Sequence, residues 1–193
     1  MTTQTYYNTH AKQYSAYTKN LNMTTLYPLF LKHLTPGGTI LDCGCGSGRD
    51  TLAFCKMGYN VTAMDGSEEM CKIAAEYTHH KIHHKHFCEI NWVNEFDGVW
   101  ACASLLHLTR DELDKTLPLI FAALKSKGAF YASFKHGAGE RLDDLGRFYT
   151  DYSQDQVRQV FGDSGFVDLN IWISKSQDPN KAHEEWVNVV CKK

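Results

Sequence analysis

Ile40-Leu41-Asp42-Cys43-Gly44-Cys45-Gly46-Ser47-Gly48-Arg49-Asp50 is the stretch on which the fold turns. Ile40 and Leu41 begin a short apolar run that ends on an acid, as a buried strand would. Gly44, Gly46 and Gly48 follow at a spacing of two, and from Gly48 to Met57 the pattern becomes helical, with Gly58 as its stop. Strand, bare bend and helix together make a binding crevice. Glycine tolerates positive φ and lets a ligand approach the main chain. Amides at a helix N-terminus suit a carboxylate or a phosphate. Asp42, at the carboxyl end of the strand, brings negative charge to the place where open α/β sheets bind their ligands.

The spacing narrows the ligand. A dinucleotide site favours G-x-G-x-x-G, so that a pyrophosphate can lie on the helix end. Here the glycines read G-x-G-x-G with an acid two residues ahead. That acid would repel a pyrophosphate and pair with an ammonium, so a ligand with an amino acid end fits better. Asp65 closes the next strand, Val61–Met64, where a carboxylate accepts hydrogen bonds from ribose hydroxyls. The bland reading of Asp65-Gly66 is a turn before a helix capped by Ser67.

Outward from this centre, strands and helices alternate. Ser67 caps a helix with Glu68 and Glu69 in its first turn. A weak strand over His83–Cys88 and a strong one over Phe96–Ala103 follow. Thr109 and Glu112 form a capping box for a helix that Lys127-Gly128 closes. Ala129–Phe134 is a strand, and Ser153 with Gln156 caps the last helix, ended at Gly165. Phe166–Ser174 and Glu185–Cys191, joined by the turn-rich Gln177–Asn180, read as an antiparallel edge pair. The alternation predicts a mainly parallel sheet with helices on both faces. Residues 5–34 read as two helices, so the expected organisation is one domain over 1–193, with a helical cap over 1–35 and a core over 36–193. Only a short segment joins the third and fourth strands. Extended, it spans about 30 Å against about 15 Å across three strand spacings, so its helix must shrink to a turn.

Composition excludes several classes. The chain has 193 residues, 43% hydrophobic and 22% charged, with net charge −2. No general attraction to nucleic acid or anionic membrane follows from that balance. The seven cysteines include no C-x-x-C and several sit in apolar runs, so they read as reduced thiols of a cytoplasmic protein. The opening Met-Thr-Thr-Gln-Thr-Tyr has neither the basic nor the apolar region of a secretory leader, and no apolar run approaches a membrane span.

Asp42-x-Gly44-x-Gly46-x-Gly48, Asp65 after the second strand, and Phe96-Asp-Gly-Val-Trp-Ala-Cys-Ala-Ser-Leu-Leu-His107 together resemble the class I S-adenosylmethionine-dependent methyltransferases. The resemblance covers roughly residues 35–175. Lys125-Ser-Lys-Gly128 departs from the family's usual L-x-P-G-G turn, which touches a structural turn and not the cofactor. Phe134-Lys-His-Gly, with Glu140-Arg141 and Gly146-Arg-Phe-Tyr149, is similar to small-molecule methyltransferases of the tellurite-resistance or thiopurine type. The resemblance implies a Rossmann-like three-layer sandwich with a seven-stranded sheet in the order 3-2-1-4-5-7-6 and an antiparallel edge strand.

It also implies site roles. Asp42, Gly44, Cys45, Gly46, Gly48 and Arg49 would surround the methionine part of S-adenosyl-L-methionine. Asp65, Gly66 and Ser67 would hold the ribose, and Cys88, Glu89 and Ile90 would border the adenine. Ala103 and Ser104 would lie under the sulfonium, and Leu105 and His107 would face the acceptor. Methyl transfer from a sulfonium expels a neutral leaving group, so alignment supplies most of the acceleration. A base is needed only for a protonated acceptor, and the candidates are His107, His136 and Tyr149, each also readable as structural. Gly137–Tyr152 reads as a lid loop in which Arg147 and Tyr149 contact substrate, Arg147 as a clamp for an anion. The cluster from His79 to His86 raises a metal hypothesis, but Lys81 and Lys85 interrupt it, and a solvated basic edge is the better reading. No metal is expected, the transfer needing none. The leading expectation is an enzyme acting on a small-molecule acceptor, as monomer or homodimer, with no nucleic acid and no membrane partner. The alternatives are an RNA or protein methyltransferase, a catalytically idle cofactor-binding module, and a dehydrogenase.

Overall fold

The structure is a computed structural model that describes residues 2–193. Its centre is a seven-stranded sheet formed by β1 (Thr39–Cys43), β2 (Asn60–Asp65), β3 (Ile82–His84), β4 (Phe96–Ala101), β5 (Leu124–Lys135), β8 (Val167–Lys175) and β9 (Glu185–Lys192). Two further strands, β6 (Gly139–Leu142) and β7 (Phe148–Asp151), pair only with each other. The sheet runs β3-β2-β1-β4-β5-β9-β8. With the hairpin set aside, that is the order expected from the sequence. The first five strands are parallel, and β9 lies antiparallel to both β5 and β8.

The helices are α1 (Thr3–Thr18), α2 (Tyr27–Leu31), α3 (Arg49–Lys56), α4 (Glu68–Thr78), α5 (Arg110–Ala123) and α6 (Gln154–Asp163). Strand side chains alternate faces, and this sorts the core into two layers. Leu41, Val99, Phe130, Phe134 and Val189 pack under Leu117, Ile120 and Phe161 of α5 and α6. Ile40, Trp100, Ala129, Tyr131 and Val190 pack on the other face with Phe30 and Phe54 of α2 and α3. Trp100 and Tyr131 stack there with centroids 3.9 Å apart. Each large side chain so buried contributes about 2 kcal/mol.

Capping boxes close the N-termini of α5 and α6 at Thr109/Glu112 and Ser153/Gln156, as their spacing predicts. Ser67 Oγ accepts from the Met70 amide at the start of α4. Gly165, at φ +90°, sits beyond the end of α6.

Four expectations need correction. The helix α5 ends at Ala123 and not at Lys127-Gly128, because β5 already begins at Leu124, opposite Phe96 of β4. The third strand is only Ile82–His84 and not His83–Cys88, while the crossover after it does shrink to a 3-10 turn at Phe87–Glu89, as expected. The segment 137–152 is not a bare loop: it folds into the β6–β7 hairpin. Of the two N-terminal helices, α2 is a single short turn with Pro28 in it.

Candidate functional site

A cavity of about 760 Å³ opens at the carboxyl ends of the central strands and is lined from the glycine bend to the start of β9. One wall is the bend itself. Gly44, Gly46 and Gly48 have φ of +83°, +54° and +77°. The amides of Gly44 and Cys45 both donate to the Met64 carbonyl, each at 2.9 Å, which pins the bend against the end of β2. A Cβ on Gly44 would run into the Cβ of Ser104, itself held by a 2.7 Å bond from its hydroxyl to the Cys43 carbonyl. Gly48 serves another end: a Cβ there would meet Thr78 at 2.7 Å and Ala74 at 3.2 Å, so it lets α3 pack on α4.

Asp65 joins the bend to the β2–α4 turn. One carboxylate oxygen accepts from the Gly46 amide and the other from the Ser67 amide, both at 2.8 Å. Burial pushes its carboxyl up, against the pull of those two amides. Gly66, Ser67, Met70, His86 and Phe87 continue the lining on this side.

Asp42 stands elsewhere. It is 2% exposed and does not line the cavity. Its carboxylate accepts from Thr51 Oγ1 at 2.6 Å, and burial, with the Asp50 charge behind it, pushes the group up to about 8. At this end of the bend the carboxylate on the cavity lining is Asp50. It accepts from Arg49 Nε (2.7 Å) and Nη2 (2.8 Å), from the Tyr27 hydroxyl (2.7 Å) and from Trp100 Nε1 (2.8 Å). Burial alone would raise Asp50, but Arg49, Tyr27 and Trp100 outweigh it and keep the carboxyl below its ordinary value.

The far wall belongs to the hairpin and to α1. His107 Nδ1 lies 2.7 Å from the Phe148 carbonyl, which can only accept, so Nδ1 carries the proton. Nε2 then accepts from the Tyr7 hydroxyl at 2.8 Å. Burial pushes the imidazole down to about 4. His107 is thus a neutral ring with both nitrogens engaged, and no free base. Tyr149 packs on it with centroids 4.7 Å apart. Arg147 is paired with Asp143 through Nε (2.9 Å) and Nη2 (2.7 Å), so the expected clamp already holds an anion of its own chain.

The helix α1 crosses this cavity and is tied to its rim by polar bonds. Among its residues only Ala11 and Ser15 are buried. Gln4 donates to the Gly66 carbonyl at 3.0 Å, Asn8 accepts from Ser67 Oγ at 2.6 Å, and Thr3 Oγ1 accepts from the Phe148 amide at 2.8 Å. Tyr17 adds a bond to Asp178 near the last turn of the chain.

Of the residues singled out in the sequence, the cavity gathers Gly44, Cys45, Gly46, Arg49, Asp65, Gly66, Ser67, Ala103, Ser104, His107, Arg147 and Tyr149. It leaves out Asp42, Gly48, Cys88, Glu89, Ile90, Leu105 and His136. Glu89 turns back to accept from the His86 amide at 2.7 Å, Ile90 and Leu105 are core residues, and Cys88 is exposed. Because the chain bends into a 3-10 turn at Phe87, His86 and Phe87 face the cavity in place of the three residues that follow. His136 bonds Glu185 at 3.0 Å outside it. Tyr7, Tyr14 and Tyr17, which the sequence offered either as a pocket wall or as a packing face, are on the lining, whereas Asp50, Ser133, Lys135, Trp186 and Asn188 were missed. A hint was present in β5 and β9, where Ser133 and Asn188 interrupt strands that are otherwise apolar and buried.

All seven cysteines are free thiols. Burial pushes Cys102, on the lining, up to about 12. Among the described residues no group of three or more His, Cys, Asp or Glu side chains is arranged to hold a metal ion, and no helix is long and apolar enough to cross a membrane.

Residues 40–128 match the family model of a methyltransferase domain. YqeM of Bacillus subtilis (strain 168), whose name assigns it to the methyltransferases, is 28% identical over 148 residues, covering 71% of this chain and 51% of that protein. The chain spans about half the length, or less, of the curated relatives it matches. The fold is shared with the Burkholderia thailandensis 1,6-didemethyltoxoflavin-N1-methyltransferase, solved with 1,6-didemethyltoxoflavin and S-adenosylhomocysteine: TM-score 0.72, 22% identity, 96% of this chain and 87% of that one. It is also shared with the [4+2]-cyclase SpnF, at TM-score 0.80 and 17% identity over 100% of this chain and 96% of that one. The segment 40–128 is thus similar to a methyltransferase domain, and it supplies β1 to β4, α5 and the start of β5 in the seven-stranded sheet.

Proposed function

We propose that this protein transfers the methyl group of S-adenosylmethionine to a small-molecule acceptor enclosed in the same cavity. One observation carries the reading: the bare-backbone bend closed by Asp65, and the region framed by His107, Tyr149 and α1, belong to one continuous space. At about 760 Å³ it lies within the usual range of ligand sites.

The cradle suits such a cofactor. The bend at Gly44 and Gly46 has no side chain to fill the space over β1, and Ser104 stands across from it. Asp65 keeps further acceptor capacity on both oxygens for ribose hydroxyls. Arg49, fixed by Asp50, offers its guanidinium to a carboxylate. His86 and Phe87 supply flat surfaces beside Asp65 for the base. When bound, the cofactor supplies a methyl group on a sulfonium, already activated for displacement. The protein's part is then alignment and enclosure. The loop Ala103–Ser104 and the wall of α1 hold the acceptor in line, and the tethers of α1 exclude water. Ala103, a non-glycine at φ +53°, is held by a bond from its amide to Ser133 Oγ at 2.9 Å. His107 fixes the Tyr7 hydroxyl and takes no proton in this scheme. Enclosure under α1 favours a small molecule over RNA or a protein chain.

Calorimetry with S-adenosylmethionine and S-adenosylhomocysteine tests the cradle, and release of S-adenosylhomocysteine over thiols, purines, amines and carboxylates tests the reaction. Micromolar binding and turnover of at least one acceptor are expected. Absence of cofactor binding by the folded protein overturns the proposal, and binding without any turnover leaves the idle cofactor-binding module in its place.

A further inference from the structure

We infer that the acceptor is an uncharged aromatic ring bearing a hydrogen-bonding group, and that the Tyr149 hydroxyl orients it. This rests on the cofactor reading above and concerns the other half of the cavity.

The floor there is the end of the sheet. Ser133 pairs with Asn188 across β5 and β9, and Lys135 with Trp186. On the outer strand, Ser174 stands opposite Trp186. Alternation puts these on one sheet face, the face that carries Tyr131 and Val190 deeper in. A core would fill that face with apolar side chains. Here it carries neutral donors and acceptors beside an indole, under walls formed by Tyr7 and Tyr14.

Three cations of the lining are already matched. Arg49, Lys135 and Arg147 have side chains only 17%, 16% and 12% exposed. Each is matched within the chain: Arg49 to Asp50 at 2.7 Å, Lys135 to Glu184 at 2.6 Å, and Arg147 to Asp143 at 2.7 Å. Lys135 and Arg147 also lie against the Tyr149 ring, at 5.8 and 5.4 Å from its centroid. Arg49 is taken up by the cofactor's carboxylate, and a phosphate or carboxylate on the acceptor, beside Tyr149, would compete with Glu184 or Asp143 for Lys135 or Arg147. An ammonium would meet guanidinium and ammonium groups where an open aromatic face should be. A neutral ring meets neither obstacle.

The Tyr149 hydroxyl there has no partner among the described residues of its own chain. The residue is 6% exposed and lines the cavity. Among the described residues no group hydrogen-bonds its hydroxyl, whose proton is held by burial well above the ordinary range. The contrast with Tyr152 is direct: that hydroxyl is sealed inside the protein and off the cavity, whereas Tyr149 Oη keeps access to it. A protonated phenol donates to a ring nitrogen or carbonyl, or accepts from a ring N–H or O–H.

The test uses the protein saturated with S-adenosylhomocysteine, confirmed by calorimetry, so that failure of the cofactor reading is seen before any acceptor is added. Saturation-transfer NMR then compares 4-hydroxyquinoline, indole and hypoxanthine with benzoate, phosphoethanolamine and putrescine. The neutral rings are expected to bind. Tyr149→Phe is expected to weaken 4-hydroxyquinoline about tenfold, the worth of one hydrogen bond, with cofactor affinity and thermal midpoint unchanged. Binding of none of the neutral rings, tighter binding of the charged compounds, or equal binding by Tyr149→Phe overturns the inference.

Discussion

The Tyr7 hydroxyl donates to Nε2 of His107 across the cavity at 2.8 Å, joining the first helix to the loop after β4. Nδ1 of the same ring donates to Phe148 in the hairpin. One imidazole therefore ties three separate parts of the chain, and it can do so only while neutral, because Nε2 must accept.

The consequence is a dependence on pH. His107 protonates at about 4 in the folded protein and near 6.5 in the unfolded chain. Between those values the unfolded chain binds more protons, so stability rises with pH. The contribution is complete above 6.5 and is lost as pH falls toward 4. Urea unfolding at pH 7 and pH 5 is expected to show the wild type losing about 2 kcal/mol more than His107→Asn on acidification. Equal losses would show that His107 protonates freely in the folded protein.

Two glycines of the bend separate folding from binding. Gly44→Ala forces a Cβ into Ser104 at a residue with φ +83°, and is expected to cost about 3 kcal/mol of stability. At Gly46 the nearest heavy atom to a new Cβ is Met70 Cε at 3.8 Å, so Gly46→Ala meets only the backbone strain of its φ, +54°, about 1 kcal/mol. Its added methyl is expected to weaken S-adenosylmethionine at least tenfold, and Gly46→Val to abolish binding. Chemical denaturation and calorimetry on the three proteins check the split.

Asp65 carries both tasks at once. Losing an acceptor for two buried amides, Asp65→Ala is expected to cost about 3 kcal/mol, besides any loss of cofactor. The cleaner variant is Asp65→Asn, which keeps one carbonyl acceptor. A cofactor dissociation constant at least tenfold higher, with the far-ultraviolet spectrum unchanged, is the expected result. An unaltered constant would remove Asp65 from ribose binding.

Asp50 is a buried anion with three different partners, and Asp50→Asn leaves the Arg49 guanidinium without its counter-charge. The expected cost is about 4 kcal/mol, with a shift in the emission of Trp100, whose charged acceptor is replaced by a neutral amide. Replacing both charges, Arg49→Met with Asp50→Leu, is expected to recover part of that stability while cofactor binding stays weak. Full binding by the double variant would show that Arg49 does not reach the cofactor.

The run from Ile40 to Asp50 and its echo at Asp65 were enough to place the strands, the bend and the helix starts. Periodicity, glycine spacing and caps are local properties, written in consecutive residues. For the same reason Ser67, Thr109 and Ser153 were readable as caps. What failed was anything that depended on which way a side chain turns. Asp42 looked like a cofactor acid but turns inward to Thr51, and the next acid along, Asp50, faces the cavity instead. Cys88, Glu89 and Ile90 looked like an adenine border, but a 3-10 turn brings His86 and Phe87 there.

By itself, then, the sequence determined the layer architecture and the location of the ligand crevice, because each follows from short-range pattern and steric rules; the strand order came from the family resemblance. Only the tertiary structure decided that His107 is a neutral tether, that Arg147 is taken by Asp143, and that Tyr149 is left with an unclaimed hydroxyl. The first is set by bonds to Tyr7 and Phe148, far apart in the chain, and the second by the hairpin turn that folds Arg147 back on Asp143, four residues before it. Whether a charge is free or matched, and whether a hydroxyl is satisfied or open, depends on what the fold brings within hydrogen-bond distance.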